Sequence, residues 1–380
     1  MFYTCGMKLV AQVKLLPTPE QADLLKRTLV ASNALCDWVS ERAWASQTFG
    51  QYALHRICYH EGRKQFGLSA QATVHAISKV ADSYKLDRKT QRHFRPEGSA
   101  CYDDRLLSWK MDQQIVNIWT VEGRTKIPFI CGTRQAELLR TRQGESDLCL
   151  VNGQFFLLAT CDVEPPDPQD FDDVLGVDLG VANLATTSDG ERFSGGGVEA
   201  VRRKYHRTRR SLGRKMHHAH KRTTRRNARR AMKRIGNREG RFRRQTNHVI
   251  SKQIVARAKD TQRGLAIEDL KGIRERTRFR KAQRAKMGGW AFHQLRSFLS
   301  YKAQLQGVLL VTVDPRNTSR TCSVCGHCEK ANRPSQDRFL CLACGHQAHA
   351  DCNAATNIAA AGAAVSRPEG PEPQPLSTAA

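Results

Sequence analysis

Asp178 lies in a short apolar run, residues 174–181, whose length and composition are typical of a buried strand. Side chains alternate between the two faces of a strand, so Gly176, Asp178 and Gly180 share one face. We expect the two glycines beside the carboxylate to leave room for an ion and a phosphate. Taken alone, Asp178 also fits an ordinary buried aspartate that caps a helix or pairs with an arginine.

Two further acids occupy comparable places. Glu268 ends an apolar strand within residues 263–270, on the face opposite to the weaker candidate Asp269. Asp351 lies in the first turn of a predicted helix, on the face that carries Ala355. The plainer alternatives are a solvated acid that opens a loop and an acid that caps a helix. Together, two strand ends and one helix start could place three carboxylates around two divalent cations about 4 Å apart, an arrangement that hydrolyses phosphodiesters.

Four of the thirteen cysteines form two CxxC pairs with fifteen residues between them. This spacing is typical of a zinc ribbon, in which four thiolates complete the tetrahedron and leave no position for a reactive water. We therefore expect a structural zinc ion that contributes on the order of 10 kcal/mol to the folding of a small module. The predicted ligands are Cys322, Cys325, Cys341 and Cys344. The spare candidates nearby are Cys328, Cys352, His327, His346 and His349.

Basic residues dominate the 380-residue chain, with 62 Lys and Arg against 36 Asp and Glu, a formal charge of +26. Such an excess indicates a polyanionic partner, nucleic acid before a membrane surface. Twenty of these residues lie between Arg202 and Arg244, where Glu239 is the one acid. A solvated face or a disordered tail is the alternative, but the run lies between core elements, which favours a groove that follows a phosphate backbone. The predicted contacts are Arg202, Arg203, Lys204, Arg207, Arg209, Arg210, Arg214, Lys215, Arg225, Arg226, Arg229 and Arg230.

Composition also bears on location. No apolar window approaches the length of a membrane span, and the first ten residues lack the layout of a signal peptide. We therefore expect a cytoplasmic protein with no membrane partner. The seven cysteines up to Cys161 are then expected to be reduced, mostly buried thiols.

The residues before position 165 change from a helical to a strand pattern. Thr18, Pro19 and Gln21 predict a capped helix start, and further helices are predicted at 51–66 and 69–84. Short strands separated by turn residues follow from about residue 100, which predicts a small barrel or curled sheet. The proline-rich residues 165–168 predict a stiff linker before the strand of Asp178.

Three stretches together resemble the split RuvC nuclease domain of TnpB, the OrfB-type protein of insertion sequences: residues 176–180, 267–270 and 351–358. Residues 317–321, ahead of the CxxC pairs, are similar to the same family, as are 16–21 and 102–106 less specifically. TnpB proteins are RNA-guided DNA endonucleases related to type V CRISPR effectors. The resemblance, which extends over residues 8–360, implies an α/β RNase H-like (RuvC) nuclease fold with an inserted four-cysteine zinc ribbon, a helical recognition block and a wedge β-barrel.

The resemblance also implies roles and partners. Asp178, Glu268 and Asp351 become the catalytic acids that hold two Mg²⁺ ions, with a guide RNA from the transposon end and double-stranded target DNA as partners. Residues 34–38 depart from the family, which often carries a Tyr-Asn pair there, so recognition of a target-adjacent motif stays open. The implied domains are a wedge barrel (1–16 and 96–165), a helical block (17–95), a nuclease domain (170–360, with basic helices 201–260), the ribbon (318–347) and a disordered tail (361–380).

Two rival functions stay open. Some relatives keep the fold and lose the acids, which gives an RNA-guided DNA-binding protein without cleavage, although all three acids are present here. An accessory transposase that transfers DNA strands is the second rival. His218 and His220 have the spacing of one such class, with Tyr205 as the nearest tyrosine nucleophile.

Overall fold

The computed structural model describes residues 6–269 and 292–366. The chain forms two compact units, Met1–Glu164 and Pro165–Ala380, so the proline-rich residues 165–168 open the second unit. Residues 270–291 and the part of the predicted tail from residue 367 lie outside the described residues. Within the described ranges, no helix is both long and apolar enough to cross a membrane.

Helices lead the first unit. They are α1 (Pro19–Ala45), α2 (Gln51–Phe66) and α3 (Ala70–Leu86). The start of α1 is the predicted capping box, in which Thr18 Oγ1 accepts the N–H of Gln21 at 3.3 Å and Gln21 Oε1 accepts that of Thr18 at 3.1 Å. Apolar residues at helical spacing, such as Leu35 and Val39, bury one face of α1 against α2 and α3.

The first unit also holds a barrel-like sheet of seven antiparallel strands. In chain order these are β1 (Met7–Leu15), β2 (Ala100–Tyr102), β3 (Leu107–Lys110), β4 (Ile115–Thr120), β5 (Gly123–Ile130), β6 (Arg142–Val151) and β7 (Gln154–Val163). They pair in the order β2-β6-β7-β1-β5-β4-β3, with a helix, α4 (Thr133–Arg140), between β5 and β6. Leu25 and Leu29 of α1 are buried in the core of this sheet, so the predicted wedge and helical regions form one compact unit.

A mixed five-stranded sheet forms the centre of the second unit. Its strands are β8 (Val174–Asp178), β9 (Asn183–Thr187), β10 (Arg192–Ser194), β11 (Gly264–Glu268) and β12 (Leu310–Val313). The order is β10-β9-β8-β11-β12, parallel between β8, β11 and β12 and antiparallel on the β9 side. Helices cover both faces, which is why β8 and β11 are continuous apolar runs in the sequence.

On one face of this sheet, the basic segment is helical. It forms α5 (Gly196–His218), α6 (Arg222–Ile235) and α7 (Arg238–Asp260), followed after the undescribed residues by α8 (Phe292–Leu305). Every residue of α5 is at least partly exposed, and α6 buries only Ala228. The apolar second half of α7 instead packs Ile250 and Ile254 against Leu295 and Leu299 of α8 and against the sheet.

The last described helix, α9 (Ala350–Ser366), covers the other face. It follows a small hairpin, β13 (Arg338–Leu340) and β14 (Gln347–His349). A Cβ at Gly362 would lie 2.4 Å from the Cβ of Ala266, so a glycine is needed where this helix crosses β11. The predicted start of the disordered tail at residue 361 is therefore wrong, because the alanine-rich residues up to Ser366 favour helix and pack on the sheet.

Candidate active site and four-cysteine cluster

Asp178 and Glu268 end two neighbouring parallel strands. The register pairs Val177 with Ile267, so the next residues along β8 and β11 stand side by side. Adjacent strands are about 4.8 Å apart, and both acids point to the face that α9 covers. The structure thus brings the first two predicted acids together at the carboxyl edge of the sheet.

Close helix packing brings Asp351 to the same edge. A Cβ at Gly176 would lie 2.1 Å from the carbonyl oxygen of Ala355, so β8 and α9 can approach only through this glycine. The first turn of α9 then lies beyond the carboxyl ends of the strands, where Asp351 is only 8% exposed. Asp178 interacts electrostatically with both Glu268 and Asp351, so the three predicted acids lie in one neighbourhood.

The glycines beside Asp178 do not have the role expected of them. The space at Gly176 is filled by the backbone of α9, and a Cβ at Gly180 would lie 2.7 Å from the carbonyl oxygen of Asn183. The expectation that they leave room for an ion and a phosphate is wrong. Their small size instead allows two backbone segments to approach the strand that carries the acid.

Burial and mutual repulsion govern the charge of this cluster. Burial raises the pKa of Asp178 to about 8, and the neighbouring carboxylates of Glu268 and Asp351 add to the rise. Burial also raises the pKa of Glu268. The protein therefore holds Asp178 and Glu268 where their negative charges are poorly compensated, a situation typical of functional sites.

A cation from the inserted segment partly compensates this charge. A guanidinium N–H of Arg333 donates to Asp351 Oδ1 at 3.1 Å, and the same side chain lowers the pKa of both Asp178 and Glu268. Sequence patterns do not reveal Arg333, because an arginine in a polar loop more than sixty residues after Glu268 carries no spacing signal.

Two neutral side chains orient the acids. The hydroxyl of Thr318 donates to Glu268 Oε1 in a short hydrogen bond, and Asn183 Nδ2 donates to Asp351 Oδ2 at 3.0 Å. Thr318 is the first residue of the predicted ribbon and Asn183 is the first residue of β9, so both lie outside the strands and helix that carry the acids. These two contacts exist only in the folded protein, because each joins residues that are far apart in the sequence.

The donor set suits a hard divalent cation. The three carboxylates offer oxygen ligands. A bound cation would offset both the burial and the repulsion between carboxylates that raise the pKa of Asp178. Arg333 shows that positive charge is stabilised at this place.

The four predicted cysteines also converge. Their sulfur atoms lie within 4.8 Å of one another, with 3.7 Å between Cys322 and Cys344 and 3.5 Å between Cys325 and Cys341. A tetrahedral zinc with Zn–S bonds of 2.3 Å has sulfur–sulfur edges of about 3.8 Å, so the cage fits. Backbone N–H groups of Cys344 and Ala343 contribute to lowering the pKa of Cys341 to about 6, which favours the thiolate.

The spare ligands have other surroundings. His349 Nδ1 accepts the backbone N–H of Asp351 at 3.2 Å, His327 lies beside Glu329, and Cys328 is exposed. The cage is instead anchored to α9 by two asparagines. Asn353 Oδ1 accepts the N–H of Ser323 at 3.0 Å, and Asn357 Nδ2 donates to the carbonyl of Thr321 at 2.7 Å.

Most of the predicted nucleic-acid contacts are exposed on α5 and α6. Ten of the twelve are exposed, and Arg202 and Arg209 are half-buried. Arg202 and Arg203 pair with Glu199, and Arg209 pairs with Glu239. The Glu199 pairs lie within α5, whereas the pair of Arg209 with Glu239 connects α5 to α7.

The other candidates do not join the acids. Asp269 pairs with Arg296 of α8. His218 ends α5, and Tyr205 lies thirteen residues earlier on the same helix, about 20 Å away at 1.5 Å per residue. The His-x-His spacing and this tyrosine therefore do not form one site.

Comparisons with known proteins agree with this arrangement. A family described as "probable transposase" matches residues 159–274, and a Cas12f1-like TNB domain matches 292–358. A CRISPR-associated endodeoxyribonuclease Cas12f1 of Sulfoacidibacillus thermotolerans is 33% identical over 217 residues, 54% of this chain and 50% of that protein. A putative RNA-guided DNA endonuclease InsQ of Escherichia coli K12 is 33% identical over 208 residues, 50% of each.

A solved Cas12f1–sgRNA–target DNA complex shares the fold, with a TM-score of 0.59 and 16% identity over 90% of this chain and 83% of that one. The chain spans about half the length of the curated relatives described above. The family matches cover both the two acidic strands and the four-cysteine segment. They confirm the resemblance that the three acidic motifs indicate: the chain is similar to probable transposases, to TnpB-like proteins and to Cas12f1 endodeoxyribonucleases.

Proposed function

We propose that the protein is an RNA-guided DNA endonuclease of an insertion sequence, with an RNase H-like (RuvC) domain that hydrolyses phosphodiester bonds. The observation that carries the proposal is the convergence of Asp178, Glu268 and Asp351 from two strand ends and one helix start. The names of the relatives supply the guide and the target. A guide RNA from the transposon end would select double-stranded DNA by base pairing, while the protein reads a short duplex motif.

The three acids would hold two Mg²⁺ ions, which when bound activate a water and stabilise the charge of the phosphate. The water oxygen bonds to phosphorus as one P–O ester bond breaks, and the departing oxygen gains a proton. Thr318 and Asn183 keep the carboxylates of Glu268 and Asp351 aimed at the cluster. Arg333 would donate to a phosphate oxygen after its hydrogen bond to Asp351 breaks.

The four-cysteine cage would hold a structural Zn²⁺ and so position this arginine. Arg333 and Thr318 both lie in or beside the inserted segment that the cage closes. The asparagine contacts fix that segment to the helix of Asp351. Zinc would then act on cleavage indirectly, by holding two of the contacts around the acids.

The test is to purify the protein from cells that carry the DNA flanking its gene, to sequence the RNA that co-purifies, and to assay matched DNA with Mg²⁺. We expect cleavage that requires the matched target and that falls roughly 10²–10³-fold in Asp178→Asn and Glu268→Gln. Asp269→Asn is the matched control, because it removes the adjacent carboxylate on the opposite strand face.

Guided binding without cleavage in the wild type would leave an RNA-guided DNA-binding protein. Cleavage that survives both acid substitutions would contradict the assigned site. Strand joining that depends on Tyr205 would favour the transposase alternative.

A further inference from the structure

A second cluster of possible metal ligands lies in the first unit, among residues for which the sequence predicts no metal. His75 of α3, Cys101 of β2 and Glu145 of β6 each offer one ligand atom, and these atoms all lie within 4.8 Å of one another. The side chain of His75 is 10% exposed and that of Glu145 is 65% exposed. The cluster therefore has a buried floor and an opening to solvent.

The topology explains why residues so far apart in sequence meet. β2 is the edge strand of the sheet and pairs antiparallel with β6, with Cys101 opposite Asp147. The pairing of β6 with β7 is irregular between Arg142 and Ser146, and Glu145 lies within this bulge. Bulges redirect side chains at sheet edges, and here the redirected carboxylate comes beside His75.

The orientation of the histidine ring suits metal ligation. Its Nδ1 lies 3.7 Å from Glu145 Oε1, whereas its Nε2 lies 3.4 Å from Asp103 Oδ2 and 3.3 Å from the side-chain nitrogen of Gln71. Metal-bound histidines usually present one ring nitrogen to the ion and the other to a carboxylate. Asp103 is placed as that carboxylate.

Charge at the cluster is unbalanced. The half-buried thiol of Cys101 lies beside three acids, since it is hydrogen-bonded with Glu145 and lies near Asp147 and Asp103. A dication would reverse this balance, because it stabilises the thiolate and both carboxylates at once. One imidazole, one thiolate and one carboxylate form a mixed N/S/O set, which suits borderline cations such as Zn²⁺ and Co²⁺ better than Mg²⁺.

We propose that His75, Cys101 and Glu145 form a second site for a Zn²⁺-class cation, with Asp103 orienting His75 and one coordination position open to solvent. The ion would link α3 to the edge of the barrel-like sheet. The site is independent of the proposed nuclease activity, since its ligands all lie in the first unit.

The test is to count metal in the full-length protein. Purified in excess zinc and then desalted, the wild type should retain two equivalents of zinc, and Cys101→Ser should retain one. Cys149→Ser, which changes a half-buried thiol on β6 outside the cluster, should retain two. Cys341→Ser should lose the other equivalent, which separates this site from the four-cysteine cage.

Cobalt gives a second measurement that does not depend on a variant. Titration of the metal-stripped wild type with Co²⁺ should give two saturating phases, an intense sulfur-to-cobalt band for the four-thiolate cage and a weaker one for the single thiolate. One equivalent of zinc in the wild type, with a single cobalt phase, would overturn the proposal and leave a hydrogen-bonded cluster only.

Discussion

The buried carboxylate of Asp178 is costly to ionise in the absence of a cation. Burial and two neighbouring acids oppose its negative charge, and Arg333 offsets only part of that opposition. A bound divalent cation would therefore have two effects here, because it would supply the chemistry of the proposed hydrolysis and would offset the unfavourable burial of negative charge. Metal binding and the stability of the second unit should be coupled.

The pH dependence of stability follows from the raised pKa of Asp178. Above about pH 4 the unfolded carboxyl has lost its proton, whereas the folded one keeps it until about pH 8. The unfolded state binds fewer protons in this window, so the stability of the Mg²⁺-free protein should fall as pH rises through it. Urea midpoints between pH 5 and 8 should show a shallower fall in Asp178→Asn. Equal slopes would contradict the assigned pKa.

Arg333 should matter for cleavage more than its place in a loop suggests. Arg333→Ala removes the cation beside three acids, so we expect cleavage to slow by about tenfold to a hundredfold, with zinc content unchanged. Arg338→Ala is the control, because Arg338 is an exposed arginine of the same ribbon. The same loss in both variants would indicate a general charge effect instead.

Sequence reasoning can find acids but not the groups that orient them. Asp178, Glu268 and the four cysteines stand in patterns that chemistry restricts, namely strand ends and CxxC spacing. Thr318, Asn183 and Arg333 are common residue types in loops, and their role exists only once the sheet register and the ribbon are in place. Gly176 of β8 can be identified in the sequence, but its function in helix packing depends on the contact with α9.

The contact between α9 and the sheet sets the position of the third acid. Gly176 and Gly362 let the helix lie directly on β8 and β11. On α9, the side chains of Ala355 and Ile358 are fully buried. The helix therefore has little freedom to move without displacing Asp351.

Gly176→Ala should separate α9 from β8, because the added methyl group would overlap a carbonyl oxygen of the helix. We expect a loss of about 1–3 kcal/mol or more in unfolding free energy and a drop in cleavage that exceeds the loss of folded protein. Gly213→Ala is the control, since the space around Gly213 in α5 is open and alanine favours helix. Urea unfolding and cleavage of matched DNA are the measurements. A stable, active Gly176→Ala would contradict the packing argument.

Helices and strands with strong local sequence patterns can be predicted from the sequence, whereas those that form through pairing with distant strands cannot. The capping residues predict the start of α1, and the predicted helix 51–66 matches α2. By contrast, β6 extends over the polar residues 142–147, which become a strand through pairing with β2 and β7. The eight-residue helix α4 has no side-chain cap and was not predicted.

The charge of the chain is concentrated where the fold exposes it. α5 and α6 are long helices with almost no buried residues, and like charges at helical spacing repel one another. Binding of a polyanion would neutralise this repulsion and release counterions. The sequence predicted the charge and the helices, whereas the ion pairs with Glu199 and Glu239 required the fold.

RNA affinity should therefore depend steeply on salt. Replacing Arg210, Arg214, Arg226 and Arg229 by glutamine should lower the slope of log K against log salt by about 3, if each contacts one phosphate. The matched control replaces the same four residues by lysine, which keeps the charge and should keep the slope. Filter binding of the co-purified RNA at several salt concentrations measures both. An unchanged slope in the glutamine variant would place the RNA elsewhere.

The order of the acids along the chain has a consequence for synthesis. The strands of Asp178 and Glu268 leave the ribosome well before α9, whose glycine contact at position 362 seats Asp351 on the sheet. A nascent polypeptide that has not yet reached this helix holds only two of the three carboxylates. Under the proposed function, translation products that end before this helix would lack the third acid and should not cleave DNA.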